Sequence, residues 1–203
     1  MFQVRVHGRG GQGVVTAAEL TAWAAIADGR HALAFPSFGS ERTGAPVEAY
    51  CRIDQHPIRA REPVTEPDLV VVLDPTLLRQ RFVADGLKPG ATALINATGA
   101  SARDFAAGLM LCGVRVFAVP ATEFARQRTG RPLPNVPMLG ALAAVTGIVS
   151  LEAVRDAIAQ RFPGPVAEAN AAAAADAYDY ALREGPVAGP IQPEYPEVPG
   201  GRH

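Results

Sequence analysis

A glycine-rich turn stands between the first strand and the first helix that the sequence predicts. Residues 2–7 alternate as a half-buried strand does, and residues 14–28 form an Ala- and Leu-rich helical stretch. Between them lies Gly8-Arg9-Gly10-Gly11-Gln12-Gly13, which satisfies the G-x-G-x-x-G pattern. A strand, a tight turn and a helix in this order are typical of open α/β sheets, and the amino end of the helix can bind an anion.

Strand and helix patterns alternate through the first 120 residues. Residues 69–73 are a continuous apolar run, typical of a parallel strand buried on both faces, and a helix is expected at 76–83. Further strand patterns occupy residues 31–35, 47–53, 91–95 and 114–119. This alternation predicts an α/β fold with a doubly wound, mostly parallel sheet and helices on both faces.

The last third of the chain is predicted to be helical. Helices are expected at 121–128, 138–149, 151–162 and 165–183, separated by Gly or Pro. Five prolines between residues 185 and 203 favour an extended segment instead. We therefore expect a single α/β domain over residues 1–184 and an extended Pro-rich tail over 185–203, which either hangs free or clasps a partner.

Composition excludes several classes of function. The net charge is −1, with 19 basic and 20 acidic residues, so no global field attracts nucleic acid or an anionic membrane. The apolar stretches are well short of the roughly 18 to 20 residues of a spanning helix, and no signal peptide is recognisable, which predicts a cytoplasmic chain. Cys51 and Cys112 are the only cysteines, too few for an iron–sulfur cluster or a zinc site.

The glycine turn allows more than one interpretation. The dinucleotide-binding pattern needs an acidic residue at the end of the second strand to hold the ribose, but Phe35 is followed by Pro36, Ser37 and Phe38. NAD in its usual pose is therefore disfavoured. Either the turn contacts a phosphate or a partner, or its glycines only permit a tight connection.

Two further segments contain candidate binding residues. Ser40, Glu41 and Arg42 lie between two glycines in a loop after the second strand, where Arg42 could clamp a phosphate or a carboxylate. The alternative is an ordinary charged surface loop. Asn135 precedes the helix expected at 138–149, where it could cap that helix or contact a ligand.

No catalytic constellation or metal site can be assembled from the sequence. The H-E-x-x-H, G-x-S-x-G and G-x-x-x-x-G-K-[ST] motifs are absent, and the four histidines are scattered. Asp74 follows a buried strand, where a catalytic carboxylate could lie, but Asp-Pro also starts a helix naturally. These absences favour a binding subunit over a complete enzyme.

Together the motifs resemble one family, the gamma subunits of the 2-oxoacid:ferredoxin oxidoreductases, such as that of pyruvate:ferredoxin oxidoreductase. The resemblance runs in order from about residue 2 to about residue 184 and leaves the tail outside. It rests on Val6-His-Gly-Arg-Gly-Gly-Gln-Gly13, Phe38-Gly-Ser-Glu-Arg-Thr-Gly-Ala-Pro46, Arg52, Pro57-Ile58, Asn135, Leu139-Gly-Ala141 and Asn170.

The resemblance implies a division of labour between chains. Thiamine diphosphate would lie between alpha and beta subunits, and [4Fe-4S] clusters in beta and in a ferredoxin-like delta subunit, with no cofactor bound by this chain alone. The gamma chain would complete the complex and help to form a shared coenzyme A site through the turn at Gly8 to Gly13 and the loop at Ser40 to Gly44. The family loop often has two consecutive arginines where this chain has Arg42-Thr43, which removes or moves one cationic contact.

The reaction implied is the oxidative decarboxylation of a 2-oxoacid with coenzyme A to acyl-CoA and CO2, with two reduced electron-carrier equivalents. The 2-oxoacid stays open, from pyruvate to an aryl substrate such as phenylglyoxylate. The acceptor stays open too, as ferredoxin or, through an added flavin subunit, NAD. Two other interpretations also stay open: a stand-alone Rossmann-type nucleotide-binding oxidoreductase and a structural bridge subunit that binds no ligand.

Overall fold

Six strands form one sheet in the computed structural model, which describes residues 1–37, 44–80, 83–98, 102–103, 106, 109 and 113–187. The strands lie in the order β2-β3-β1-β4-β5-β6. Their bounds are β1 (Phe2–Arg9), β2 (His31–Pro36), β3 (Pro46–Asp54), β4 (Leu69–Val72), β5 (Thr92–Asn96) and β6 (Arg115–Val119).

Five α-helices have both ends within the described residues. Their bounds are α1 (Val14–Ala27), α2 (Ala121–Thr129), α3 (Asn135–Thr146), α4 (Leu151–Arg161) and α5 (Gly164–Glu184). The helix expected at 76–83 is a short 3-10 helix over Pro75–Arg79, because Gln80 already adopts an extended conformation. The helical last third of the chain is confirmed, and of the tail only residues 185–187 are among the described residues.

The sheet is mixed but mostly parallel. β1, β4, β5 and β6 pair in parallel, whereas β3 runs antiparallel to both β1 and β2. The predicted α/β class is confirmed. β2 does not lie beside β1, as the second strand of a dinucleotide-binding unit would, because β3 separates them.

Alternation along the strands separates two cores on opposite faces of the sheet. On one face, Val4, Val6 and Val71 pack against α1, α3, α4 and α5. On the other face, Val70 and Val72 pack against the 3-10 helix and the helical residues Ala102, Ala106 and Leu109. Helices therefore cover both faces, with the five α-helices concentrated on the first.

The helical face depends on one close approach between α3 and α5. A Cβ atom at Gly140 would overlap the backbone carbonyl of Ala174. Only glycine lets the two helices approach this closely, and α3 is accordingly buried through most of its length. The amino ends of α1 and α3 lie side by side, since Gly13 contacts Asn135.

Candidate functional site

The glycine turn joins the end of β1 to the start of α1. Gly8 and Arg9 are still in the strand, and Gly13 is the N-cap of α1 in the left-handed region at φ 75°. Gly11 also has a positive φ, of 97°. These two conformations favour glycine. The backbone of the turn therefore requires glycine at both positions, in addition to any requirement that a bound ligand makes.

Gln12 fixes the shape of the turn through its side chain. Its Oε1 accepts a hydrogen bond from the backbone N–H of Arg9 at 2.8 Å. Its Nε2 donates to Asp74 Oδ2 at 2.9 Å. The turn is therefore tied to the residue that follows the neighbouring parallel strand.

Asp74 is engaged from several sides. It is the N-cap of the 3-10 helix and accepts from the backbone N–H of Thr76 at 2.9 Å and from its hydroxyl at 2.5 Å. Burial acts to raise the pKa of Asp74, but the hydrogen bonds from Thr76 and Gln12 and the charge of Arg9 outweigh it and lower that pKa. Of its two proposed roles, the structure shows the helix-starting one.

Arg9 binds the turn to its surroundings. Its guanidinium donates to the carbonyl of Gly44 at 3.0 Å and to Thr76 Oγ1 at 2.7 Å, and its Nε lies 3.3 Å from Asp74. Gly10 also exchanges backbone hydrogen bonds with Gly44 and Ala45. The described end of the second candidate loop thus lies directly beside the glycine turn.

The other predicted members of that loop, Ser40, Glu41 and Arg42, lie outside the described residues. Their proposed contacts remain predictions from the sequence. The positions of Gly44 and Ala45 only establish where the loop rejoins the sheet.

A pocket of about 530 Å³ opens where α1 begins, and we call it the α1 pocket. Gly11, Gly13 and Thr16 line one side of it. The opposite walls come from the connection between α2 and α3 and from the segment where α4 ends and α5 begins. Asn135, a predicted site residue, and Asn170, one of the residues on which the family resemblance rests, line the pocket together with the glycine turn.

Asn135 lies against the N-cap of α1. A Cβ atom at Gly13 would overlap the amide of Asn135, so these two residues lie in direct contact. Capping by Asn135, one of its two expected roles, is wrong: α3 begins at Asn135 itself, its N-cap is Pro134, and no side chain caps it. Asn135 is only 7% exposed, and it lines the pocket beside the amino end of α1.

Three arginines line the α1 pocket and were not predicted from the sequence. Arg128 forms a paired contact with Asp176 at 2.6 and 2.9 Å. Arg161 lies over the ring of Phe162, and Arg131 follows the end of α2. The sequence contains a signal that could have identified two of them. Arg128 and Arg161 each occupy the last turn of a helix that Gly or Pro terminates.

Two buried polar residues lie under the turn on the opposite face of the sheet. Arg5 donates through Nε to His7 Nε2 at 3.0 Å, and its guanidinium also donates to the backbone carbonyl oxygens of Val64, Val83 and Asp85. Burial, reinforced by the Arg5 charge, lowers the pKa of His7 to about 3. His7 is therefore neutral at physiological pH, which matches a structural role at the strand end.

The described residues contain neither a metal-binding cluster nor a helix that could span a membrane. No three His, Cys, Asp or Glu side chains in that part of the chain converge as metal ligands. None of its helices combines the length and the apolar character that crossing a bilayer requires. Cys51 is fully buried, and burial raises the pKa of its thiol to about 12.

The family model and the relatives that match this chain agree with one another. Residues 3–180 match the family model described as pyruvate ferredoxin/flavodoxin oxidoreductase. The chain is 48% identical over 179 residues to pyruvate synthase subunit PorC of Methanothermobacter thermautotrophicus, covering 88% of this chain and 95% of the relative. It is 46% identical to the pyruvate/ketoisovalerate oxidoreductases common subunit gamma of Thermococcus kodakarensis, covering 88% and 96%.

A crystal structure provides the same comparison in three dimensions. Pyruvate oxidoreductase subunit PORC from Thermotoga maritima superposes with a TM-score of 0.75 at 39% identity. The match covers 88% of this chain and 95% of that one. Sequence and fold therefore agree over the same part of the chain.

Proposed function

The chain belongs to the pyruvate ferredoxin/flavodoxin oxidoreductase family as the gamma subunit of a 2-oxoacid oxidoreductase complex, and on this premise we propose that it helps to form the coenzyme A site of that complex. The resemblance found in the motifs is thereby confirmed. The observation that supports the coenzyme A site is the α1 pocket, where Gly11 and Gly13 of the turn meet Asn135.

The proposed reaction is the oxidative decarboxylation of a 2-oxoacid with coenzyme A to acyl-CoA and CO2, with ferredoxin or NAD as acceptor. Thiamine diphosphate between the alpha and beta subunits would supply the carbanion chemistry, and the iron–sulfur clusters of the beta and delta subunits would supply the electron transfer. This chain's part is to bind and orient the acyl acceptor, as protein around a cofactor commonly does. Asn135 offers both a donor and an acceptor for that purpose.

The same gamma chain could serve more than one 2-oxoacid. The Thermococcus kodakarensis relative is named as a subunit common to pyruvate and ketoisovalerate oxidoreductases. All these reactions have the transfer to coenzyme A in common. A subunit shared between complexes is therefore better suited to serve that transfer than to select the oxoacid. We therefore assign the choice of 2-oxoacid to the partner chains.

A stand-alone nucleotide-dependent oxidoreductase is the weaker candidate. The strand parallel and adjacent to β1 is β4, and Asp74 at its end is where a ribose-binding carboxylate would stand. That carboxylate already accepts hydrogen bonds from Gln12 and Thr76. Calorimetric titration of the full chain with NADH should accordingly show no binding.

The tail is proposed to clasp a neighbouring subunit. Its first residues return to the sheet, since the N–H of Val187 donates to the carbonyl of Val116 in β6 at 2.7 Å. A chain truncated after Glu184 should lose part of the yield and thermal stability of the complex. An unchanged complex would remove this role.

The experiment for the assignment is anaerobic purification of the tagged chain from its own host, with iron and thiamine diphosphate quantified. We expect it to copurify with thiamine-bearing and cluster-bearing chains.

Asn135→Ala in the assembled complex should then raise KM for coenzyme A about fivefold or more and leave kcat within about twofold, as loss of a binding contact does. Gln127→Ala, which removes an exposed amide from α2, is the control.

Each outcome distinguishes the candidates. A clean monomer or homodimer without iron or thiamine, from a host that makes the other subunits, would overturn the gamma assignment. Copurification with an unchanged KM for coenzyme A would favour the structural bridge that binds no ligand.

A further inference from the structure

β6 forms one edge of the six-stranded sheet, and one side of this strand faces away from the other strands. The backbone of Arg115 donates a hydrogen bond toward the β5 segment, and the carbonyl groups of Gly113 and Val119 accept hydrogen bonds from it. Because backbone groups alternate in direction along a strand, the N–H and C=O of Val116 face outward. Such an edge can pair with one further strand.

The tail makes its first contact with the sheet at this edge. The N–H of Val187 donates to the C=O of Val116 at 2.7 Å. The side chain of Val187 is half-buried and packs against the same core as Val72, while Pro186 is exposed. Val116 has no exposed area, and its outward N–H has no partner among the residues that the structure describes. Since a buried N–H is nearly always paired, its partner belongs to another part of the chain or to another molecule.

The direction of the tail at this contact follows from the core that Val187 faces. Val116 lies in that same core, whereas Phe117 lies in the core on the opposite face of the sheet. With this hydrogen bond, Val187 would stand opposite Val116 in an antiparallel pair and opposite Phe117 in a parallel pair. Opposite residues share a face of the sheet, so the contact is antiparallel.

The sequence after Val187 suits a short edge strand in this direction. In such a strand, residues 187 and 189 would direct their N–H groups toward β6, and the even-numbered residues would direct theirs outward. Pro186 and Pro190, which have no N–H, both fall at outward positions. Proline in sheets is confined to such positions, and there it removes donors that yet another strand would need.

We propose that residues 187–190 form a seventh strand, antiparallel to β6, which closes this edge of the six-stranded sheet. The occupant of the edge is thus a segment of this chain itself. In this arrangement the C=O of Val187 accepts from the unpaired N–H of Val116, and the N–H of Gly189 donates to the outward C=O of Val114.

The proposed strand is short because β6 ends. The N–H of Val114 is already bonded to the C=O of Leu109 at 3.2 Å, so pairing stops there. Residues 191–203 then leave the sheet beside Gly113, at the end opposite to the glycine turn, and stay available to clasp a partner. The proposed strand does not depend on the proposed function, because it concerns only the edge of this chain's own sheet.

Amide hydrogen exchange of the full chain, followed residue by residue by NMR, is the test. The N–H of Gly189 should exchange about tenfold or more slower than in an unstructured peptide, the protection that one net hydrogen bond gives. The N–H of Ala188, which would face outward, should exchange at the unstructured rate. Equal exchange of these two amides would overturn the proposal.

Two proline variants provide a matched pair in the full chain. Gly189→Pro removes a donor that would face β6 and should lower the protection of the Val116 amide about tenfold. Ala188→Pro adds the same residue at an outward position and should leave that protection unchanged. The same result in both variants would show that the tail does not pair in the proposed register.

A chain that ends at Gln192 and a dilution series identify the origin of the strand. Removal of residues 193–203 should leave the protection of the Val116 and Gly189 amides unchanged, since the proposed strand is retained. Loss of protection would assign the contact to the distal tail and overturn the proposal. Protection that falls on dilution would show that the strand comes from a second copy, which would also overturn it.

Discussion

Gln12 donates its side-chain amide to the carboxylate of Asp74 over 2.9 Å, which joins the turn after β1 to the end of β4. The same side chain accepts from the backbone N–H of Arg9. If the amide were flipped, its oxygen would face the Asp74 carboxylate, which is also an acceptor. Its NH2 group would face the backbone N–H of Arg9, which is also a donor. The turn therefore depends on an amide at this position, and a carboxylate of the same shape cannot replace it.

Gln12→Glu should destabilise the chain by roughly 1–3 kcal/mol at pH 7, because a carboxylate would face Asp74 where a donor is needed. Urea unfolding of the full chain measures the change. Gln127→Glu, at an exposed site on α2, is the control and should change stability by less than about 0.5 kcal/mol. The loss should shrink as the pH falls and one carboxyl is protonated; a loss independent of pH would contradict this explanation.

His7 should make the stability of the chain depend on pH. Burial, with the Arg5 charge, lowers its pKa to about 3 in the fold, while the unfolded chain has the ordinary value of about 6.5. The unfolded state therefore binds the proton first, so stability is complete above pH 6.5 and falls as the pH drops from there toward 3. The slope reaches about 1.4 kcal/mol per pH unit.

Urea unfolding at pH 7.5 and pH 5.5 tests the contribution of His7. The His7→Gln variant should be less stable at pH 7.5 but should lose roughly 1.4 kcal/mol less than the parent chain between the two values. His31→Gln, at an exposed histidine of β2, is the control. Identical pH slopes in the parent and in His7→Gln would show that His7 is not the group responsible.

The strands were the most predictable part of the fold. Alternation in β1 and the apolar run of β4 depend on burial of neighbouring side chains, which is visible within a few residues. The position of β3 between β1 and β2 was not predictable in this way, because antiparallel insertion depends on contacts between distant segments. The same applies to the 3-10 helix after Asp74, where local spacing indicated a longer helix.

The candidate site was predictable only where one segment supplies it. The glycine turn has its pattern within six residues, whereas its contact with Gly44 joins segments that are distant in the sequence. Arg131 and Arg161 reach the α1 pocket from two separate segments of the sequence. Nothing local marks them as neighbours. The role of Asn135 was open for a similar reason, because its contact with Gly13 spans most of the chain.

Gly13 and Gly11 should respond differently to alanine. Both have positive φ, so each substitution should cost about 1–2 kcal/mol in backbone strain. A Cβ at Gly11 meets nothing within 4 Å, whereas one at Gly13 would overlap Asn135. Gly13→Ala should therefore be the more destabilising of the two in urea unfolding.

The double variant Gly13→Ala with Asn135→Ala separates strain from overlap. With the amide gone, the extra cost of Gly13→Ala should fall by about 1 kcal/mol, a coupling that residues in contact commonly show. Additive changes would mean that the two side chains do not compete for the same space.

Gly140→Ala should destabilise the chain even though alanine favours a helix by about 1 kcal/mol over glycine. The added methyl would overlap the carbonyl oxygen of Ala174, so α3 and α5 must move apart, at a net cost of roughly 1–3 kcal/mol. Because α3 also positions Asn135, the same shift should weaken coenzyme A binding by the complex. Ala144→Gly, at a half-buried site of the same helix, is the control: it should cost about 1 kcal/mol of helix propensity and the packing of one methyl group, and should leave KM for coenzyme A unchanged. A more stable Gly140→Ala chain would show that the helices can separate without loss, and the close approach would then not be what positions the site.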